Sequence, residues 1–213
     1  MKKTSVFLGS ALLLGAILPA GASAMMFTDW SLVDIVTNVA DGELGGVKVS
    51  FSGSNIDQGI TDNSFTGFNS LLFTPPLVNS DFVGFRGAPA GYNYVLTFSA
   101  PVEDPIFHFY SLASNLTFST SHITRLSGDP DFIVDGNVLS GILNDNLNGY
   151  DANGTIQLEG SYTAISFTAT YFDSREDGIV MQLGSPVPVP ATILLFGTGL
   201  AGLAGSRLRR KKK

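Results

Sequence analysis

Residues 25–185 are expected to form a mainly β domain, an antiparallel β-sandwich of jelly-roll type, on three grounds. Short runs of β-branched and aromatic residues recur with period two. Gly, Asn, Asp and Pro cut these runs at brief intervals. No stretch between them sustains a 3.6-residue apolar period. In chain order the runs are 47–51, 94–98, 106–110, 116–120, 132–134, 155–158, 165–171 and 179–183. Residues 28–39 are the one place with helical spacing, through Trp30, Val33 and Val36, although their β-branched content disfavours a helix.

Turn chemistry follows the same plan. Asp135-Gly136-Asn137 lies between two apolar segments and suits a tight hairpin, and Asn153-Gly154 is expected to turn the chain into Thr155 in the same manner. Pro101 and Pro105 bracket a strand-to-strand connection, with Pro105 acceptable only at a strand start or an edge. Residues 42–94 are less regular and rich in Gly, Asn, Ser and Asp. They also hold Phe65, Phe68, Phe73, Phe82 and Phe85, too much apolar area for a disordered linker. Loops packed over one end of the fold, with one or two short strands, are expected there. No internal repeat recurs at a fixed period.

The 213 residues contain no cysteine, so the fold is held without disulfides, and thiol nucleophiles, thiolate metal sites and lipoprotein-type cysteine anchors are excluded. Aromatic packing takes their place, with 14 of the 16 phenylalanines falling within residues 25–185. The formal charge of −6 hides a strong asymmetry. Residues 25–185 carry all 18 acidic side chains but only Lys48, Arg86, Arg125 and Arg175 as cations, a net charge of −14. Such a surface repels phosphate backbones and anionic lipid, which argues against nucleic acid as a partner.

The remaining cations sit at the two ends. Lys2 and Lys3 precede an apolar stretch over 6–18, and Pro19 and Gly21 break it before Ala22-Ser23-Ala24. This is the layout of a secretory signal over 1–24, with small residues at Ala22 and Ala24 for a signal peptidase that cleaves before Met25. At the other end, 186–213 comprise Pro186-Val187-Pro188-Val189-Pro190, an uncharged run over 191–205, and six cations between Arg207 and Lys213. As a helix, 187–205 would reach roughly 28 Å, close to the ~30 Å hydrocarbon core, and the cations would hold its far end in the cytoplasm.

A proline-rich dyad, a short Leu/Gly/Ala-rich span through Phe196-Gly197-Thr198-Gly199-Leu200-Ala201-Gly202-Leu203, and a terminal Arg/Lys cluster resemble the PEP-CTERM sorting signal of Gram-negative bacteria. Pro188, Val189 and Pro190 stand where that family's name calls for Pro-Glu-Pro, a variant form of the motif. The resemblance implies an exosortase-type sorting enzyme as partner. It also implies an inner-membrane anchor that holds the body in the periplasm before processing, and a cell-surface or extracellular location afterwards. A second resemblance covers about 94–183, through Thr97-Phe98-Ser99-Ala100-Pro101 and Gly154-Thr155-Ile156-Gln157-Leu158-Glu159-Gly160. It is to sandwich domains of bacterial surface proteins, and it bears on fold alone.

Chemistry within the body is sparse. There is no nucleophile elbow, P-loop, dinucleotide fingerprint or helical zinc-protease motif. Of the two histidines, His108 alternates with Phe107 and Phe109 and is expected to point outward as a polar residue with a structural role, and His122 has no paired serine motif. Asp129, Asp131, Asp135, Asp145 and Asp151 are oxygen ligands of the kind calcium uses in extracellular loops. However, a calcium-loop template placed on Gly154 puts Gly149 and Gly160 at ligand positions, so solvated turns are the preferred reading. Tyr92, Tyr94, Tyr110 and Tyr150 are the aromatics that could stack on a sugar.

The expectation is an exported envelope or matrix protein with a structural or interaction role, without catalysis or cofactor. A calcium- or carbohydrate-binding module is the alternative, with extracellular polysaccharide as its partner, and a glycan hydrolase comes third.

Overall fold

Alternation along the longest strand shows how the body is built. In residues 92–103 the side chains of Tyr94, Leu96, Phe98 and Val102 are buried while Val95, Thr97 and Ser99 face out, the pattern of a strand with one wet face. The computed structural model describes residues 25–141, 151–171 and 177–186. Signal residues 1–24, Asp145, Tyr150 and the 187–213 part of the tail lie outside the described residues.

Fifteen strands are described: β1 (Met25–Phe27), β2 (Asp29–Asp34), β3 (Val39–Leu44), β4 (Val47–Gly53), β5 (Ile56–Phe65), β6 (Ser80–Gly87), β7 (Tyr92–Glu103), β8 (Ile106–Leu112), β9 (Asn115–Phe118), β10 (Ile123–Gly128), β11 (Phe132–Asp135), β12 (Val138–Gly141), β13 (Ala152–Leu158), β14 (Ser161–Thr170) and β15 (Asp177–Pro186). There is no helix among the described residues, and so none long and apolar enough to cross a membrane.

The strands form two antiparallel sheets. One has seven strands in the order β10-β13-β8-β15-β6-β5, with β1 added alongside β15. The other has eight, ordered β11-β12-β9-β14-β7-β4-β3-β2. Their inner faces share one core, in which Phe51 of β4 and Phe167 of β14 meet Phe85 of β6 at ring-centroid separations of 5.5 Å. Phe107 of β8 packs edge-on against Phe118 of β9 at 6.2 Å. Polar links join the sheets as well. The Trp30 indole on β2 donates to Gln182 Oε1 on β15 at 3.1 Å, and the Trp30 amide donates to Asp81 at 3.0 Å.

All eight expected runs coincide with strands, although 119–120 lie past the end of β9 and Tyr171 past the end of β14, and other expectations need correction. Residues 28–39 are not helical: β2, a turn and the start of β3 occupy them. A bulge between Trp30 and Leu32 breaks the alternation of β2 and leaves Trp30 and Val33 three residues apart on the core side, which mimics helical spacing. Residues 42–94 are more regular than expected, for they include the ten-residue β5 and the eight-residue β6, which pairs with both β5 and β15. The loop after β5 crosses the outer face of the seven-stranded sheet, where Phe68, Phe73 and Leu77 pack against Phe82 and Val180, and does not cap one end.

Asn153-Gly154 is no hairpin turn either. It lies within β13 at a register shift against β8, and a Cβ on Gly154 would sit 2.5 Å from the Phe132 ring. The Asp135 turn does form, with Asp135 facing Val138 and Gly136 at φ +59°. Pro105 directly precedes β8, as its lack of an N–H requires, whereas Pro101 lies inside β7 at an irregularity in its pairing with β14.

Candidate functional site

Strand β8 places His108 opposite Phe107 and Phe109, on the outer face as expected, but the side chain is fully buried and not exposed. The loop after β5 covers it. Its ring lies between 5.2 and 5.5 Å from those of Phe27, Phe68 and Phe73. Nε2 is 2.8 Å from the Pro75 carbonyl oxygen, which can only accept, so Nε2 carries the proton and Nδ1 accepts the Thr155 hydroxyl at 2.9 Å. Thr155 Oγ1 in turn accepts the Thr74 amide at 3.0 Å. Burial pushes the imidazole pKa down to about 4, so the ring is neutral at neutral pH. A neutral ring whose two nitrogens are both engaged serves as a clamp for the covering loop.

The carboxylates singled out for calcium separate into three places. Asp129 Oδ2 accepts the Asn153 amide at 2.7 Å, Asn153 Oδ1 accepts the Ser111 amide at 3.0 Å, and the Ser111 hydroxyl donates to Asp151 at 2.5 Å. These bonds tie the bulge of β13 to the end of β8, where Ser111 takes φ +62°. Asp131 is half-buried between β10 and β11, and Asp135 is exposed at the β11–β12 hairpin. Among the described residues no group of three or more His, Asp or Glu is placed to hold a metal ion.

Asp177, which sequence reading did not single out, is buried beside this network and accepts the Ala113 amide at 3.0 Å and the Ser114 hydroxyl at 2.7 Å. Burial, with a lesser contribution from the Asp151 charge, pushes its pKa up to about 6. The tyrosines also divide. Tyr94 is core, its hydroxyl 2.8 Å from the Arg86 carbonyl and 2.9 Å from that of Asn55. Tyr92 packs against the core edge, and Tyr110 is partly exposed beside Phe65.

A broad concavity lies on the outer face of the eight-stranded sheet. A depression of about 680 Å³ is lined by outward positions of β2, β3, β4 and β7, including Asp29, Asp41, Glu43, Ser50, Thr97 and Ser99, with Lys48 as its cation. A smaller one of about 230 Å³ continues over Asn93, Thr117, Ser119, Ser166 and Thr168. The two share β7. This hydroxyl-rich face, acidic at one side, can donate and accept hydrogen bonds along several strands. Sequence reading missed it, although the Ser50, Thr97 and Ser99 alternation in β4 and β7 was its signal.

The first and last described strands meet. Met25, the residue expected after leader removal, pairs with Pro186, and Phe27 pairs with Gly184. Ala22, Ala24, Pro188, Val189 and Pro190 lie outside the described residues. No curated protein and no solved structure matches the chain. Residues 186–211, which begin where β15 ends, match the family model described as the PEP-CTERM protein-sorting motif, so the chain carries the signal of an exported protein read by an exosortase-type sorting enzyme.

Proposed function

We propose that the chain is an envelope or extracellular-matrix protein whose two-sheet β-sandwich body has a structural or binding role and performs no catalysis. The leader over 1–24 exports it, the helix over 187–205 anchors it facing the periplasm, and processing near Pro188-Val189-Pro190 releases it to the cell surface or beyond. The observation that carries this reading is the sorting motif at 186–211, joined directly to the last strand of the folded body. Mass spectrometry of the extracellular fraction from a host with the sorting enzyme should find a chain that begins at Met25 and ends before Ala191. Recovery of intact anchor alone would overturn it.

A second reading, a carbohydrate-binding role, is favoured by the hydroxyl-lined depression on the eight-stranded sheet. Hydroxyl and carboxylate side chains on a preformed concave surface suit the hydroxyls of a glycan chain, and the scarcity of cations there favours neutral over anionic polymers. A glycan array probed with the chain recovered from the medium should retain neutral glycans and release none as cleaved product. The calcium alternative has less behind it: Asp129 Oδ2 and Asp151 accept hydrogen bonds from the protein, Asp129 Oδ1 is buried without a partner, and among the described residues no group of three or more acidic or histidine side chains is placed to hold an ion.

A further inference from the structure

Strand β15 is held differently along its length. From Asp177 to Met181 it pairs with β6, and from Val180 to Gly184 it pairs with β8 on the other side. Beyond Gly184 both partners have ended, and the backbone of Ser185 and Pro186 pairs with β1 alone, while the Ser185 hydroxyl donates to the Glu103 carbonyl of β7 at 3.0 Å. The Thr28 amide donates to the Leu183 carbonyl at 2.8 Å and closes this short ladder. Four residues then separate Pro186 from the uncharged run at Ala191, a reach of about 14 Å at most. A membrane-embedded enzyme that acts within Pro188-Val189-Pro190 therefore meets the folded sheet within one or two residues of its target. Extended peptides are commonly bound by strand addition, which requires free backbone groups next to the recognised side chains.

We propose that β1 is a removable guard over the end of β15, and that the sorting enzyme binds Gly184–Pro186 as an added strand only when β1 has lifted away. This rests on the sorting function proposed above. Strand β1 suits the role: it has three residues, all only partly buried, and leader cleavage before Met25 leaves it as a free chain end. Gly184 makes the guard fit. A Cβ there would lie 2.8 Å from the Phe27 ring and 2.9 Å from the Met26 carbonyl oxygen, so any larger residue pushes β1 off. Once it leaves, Ser185 and Pro186 present an unpaired edge continuous with the motif, the surface that an incoming strand needs.

The test uses the full chain in a host with the sorting enzyme and reads carboxyl-terminal processing by mass. Met26 and Ser185 are direct cross-strand partners, a separation near 5.5 Å that a disulfide can bridge, and no other cysteine exists to compete. In the double variant Met26→Cys/Ser185→Cys, oxidation should slow processing by about tenfold or more relative to either single variant, because only the locally opened form is a substrate. Reduction should restore it, which shows that the locked chain is folded and exported. Gly184→Val should be processed faster than wild type. An oxidised double variant processed as fast as the single variants would overturn the guard and leave sorting intact. A wild-type chain that is never processed would overturn the sorting function itself.

Discussion

The outer faces of the two sheets make opposite use of the same alternation. On the seven-stranded sheet the outward positions include Phe82, Val180 and His108, and the loop after β5 buries them under Phe68, Phe73 and Leu77. On the eight-stranded sheet they are Ser50, Thr97, Thr117, Ser166 and Thr168, and nothing covers them among the described residues. An apolar outward row needs a second layer to leave water, whereas a hydroxylated row is satisfied by solvent and stays open to a partner. The seven-stranded sheet therefore carries a second, smaller apolar layer in addition to the shared core, while the eight-stranded sheet keeps a hydroxylated face open to solvent.

Removing the cover's anchor should show the largest effect. Phe68→Ala takes a fully buried ring from contact with Phe65, Phe73 and His108, and should cost about 3–5 kcal/mol in urea unfolding. It should also raise dye binding to exposed apolar surface. A loss under about 1 kcal/mol would mean that the loop contributes little to the fold.

Next comes pH. The His108 pKa is depressed in the fold to about 4 from an ordinary 6.5, so the unfolded chain takes up the proton first, and stability falls as pH drops from about 6.5 to 4. Asp177 is raised from 3.8 to about 6, so the folded chain takes up the proton first, and stability rises as pH drops through 6 toward 3.8. Each is worth about 3 kcal/mol at most, and the two nearly cancel. Asp177→Asn should expose the falling limb and His108→Gln the rising one, in chemical unfolding followed between pH 7 and 4. Parallel profiles in both variants would refute the assignment.

The smallest effect on stability belongs to the bare face. Thr97→Trp fills the larger depression from an exposed position and should change stability by no more than about 0.5 kcal/mol while abolishing glycan retention on an array. Retention unchanged by the indole would remove this face from the carbohydrate-binding reading.

Several features of this contrast were readable residue by residue. Runs such as 94–98 and 106–110 alternate because one inner face is apolar, and each lies in a strand. His108 was correctly set opposite its phenylalanines. Its burial was not legible, because the cover comes from Pro75 and Phe73, more than thirty residues away in the chain. Strands β5 and β6 are longer than the one or two short strands expected there, because β6 is buried on both faces yet interrupted by Ser80, Asp81, Gly84 and Arg86, and in β5 Asp57, Gly59, Asp62 and Asn63 read as turn formers. In β2 a bulge counterfeited a helix, and in β13 an Asn-Gly pair was taken up by a bulge packed on Phe132. Among site residues, Asp129 and Asp151 read as members of two separate acidic clusters that the fold links through Asn153 and Ser111, and the buried Asp177 beside them carries no local mark of its environment.

Destination and strand alternation were written locally, in charge, hydrophobic length and period-two patterning, since each acts over a few neighbouring residues. Folding in three dimensions chose which sheet is covered, which carboxylate is buried, and that Met25 meets Pro186 at one edge. Those outcomes depend on contacts between segments far apart in the chain, whose closeness no short window of residues records.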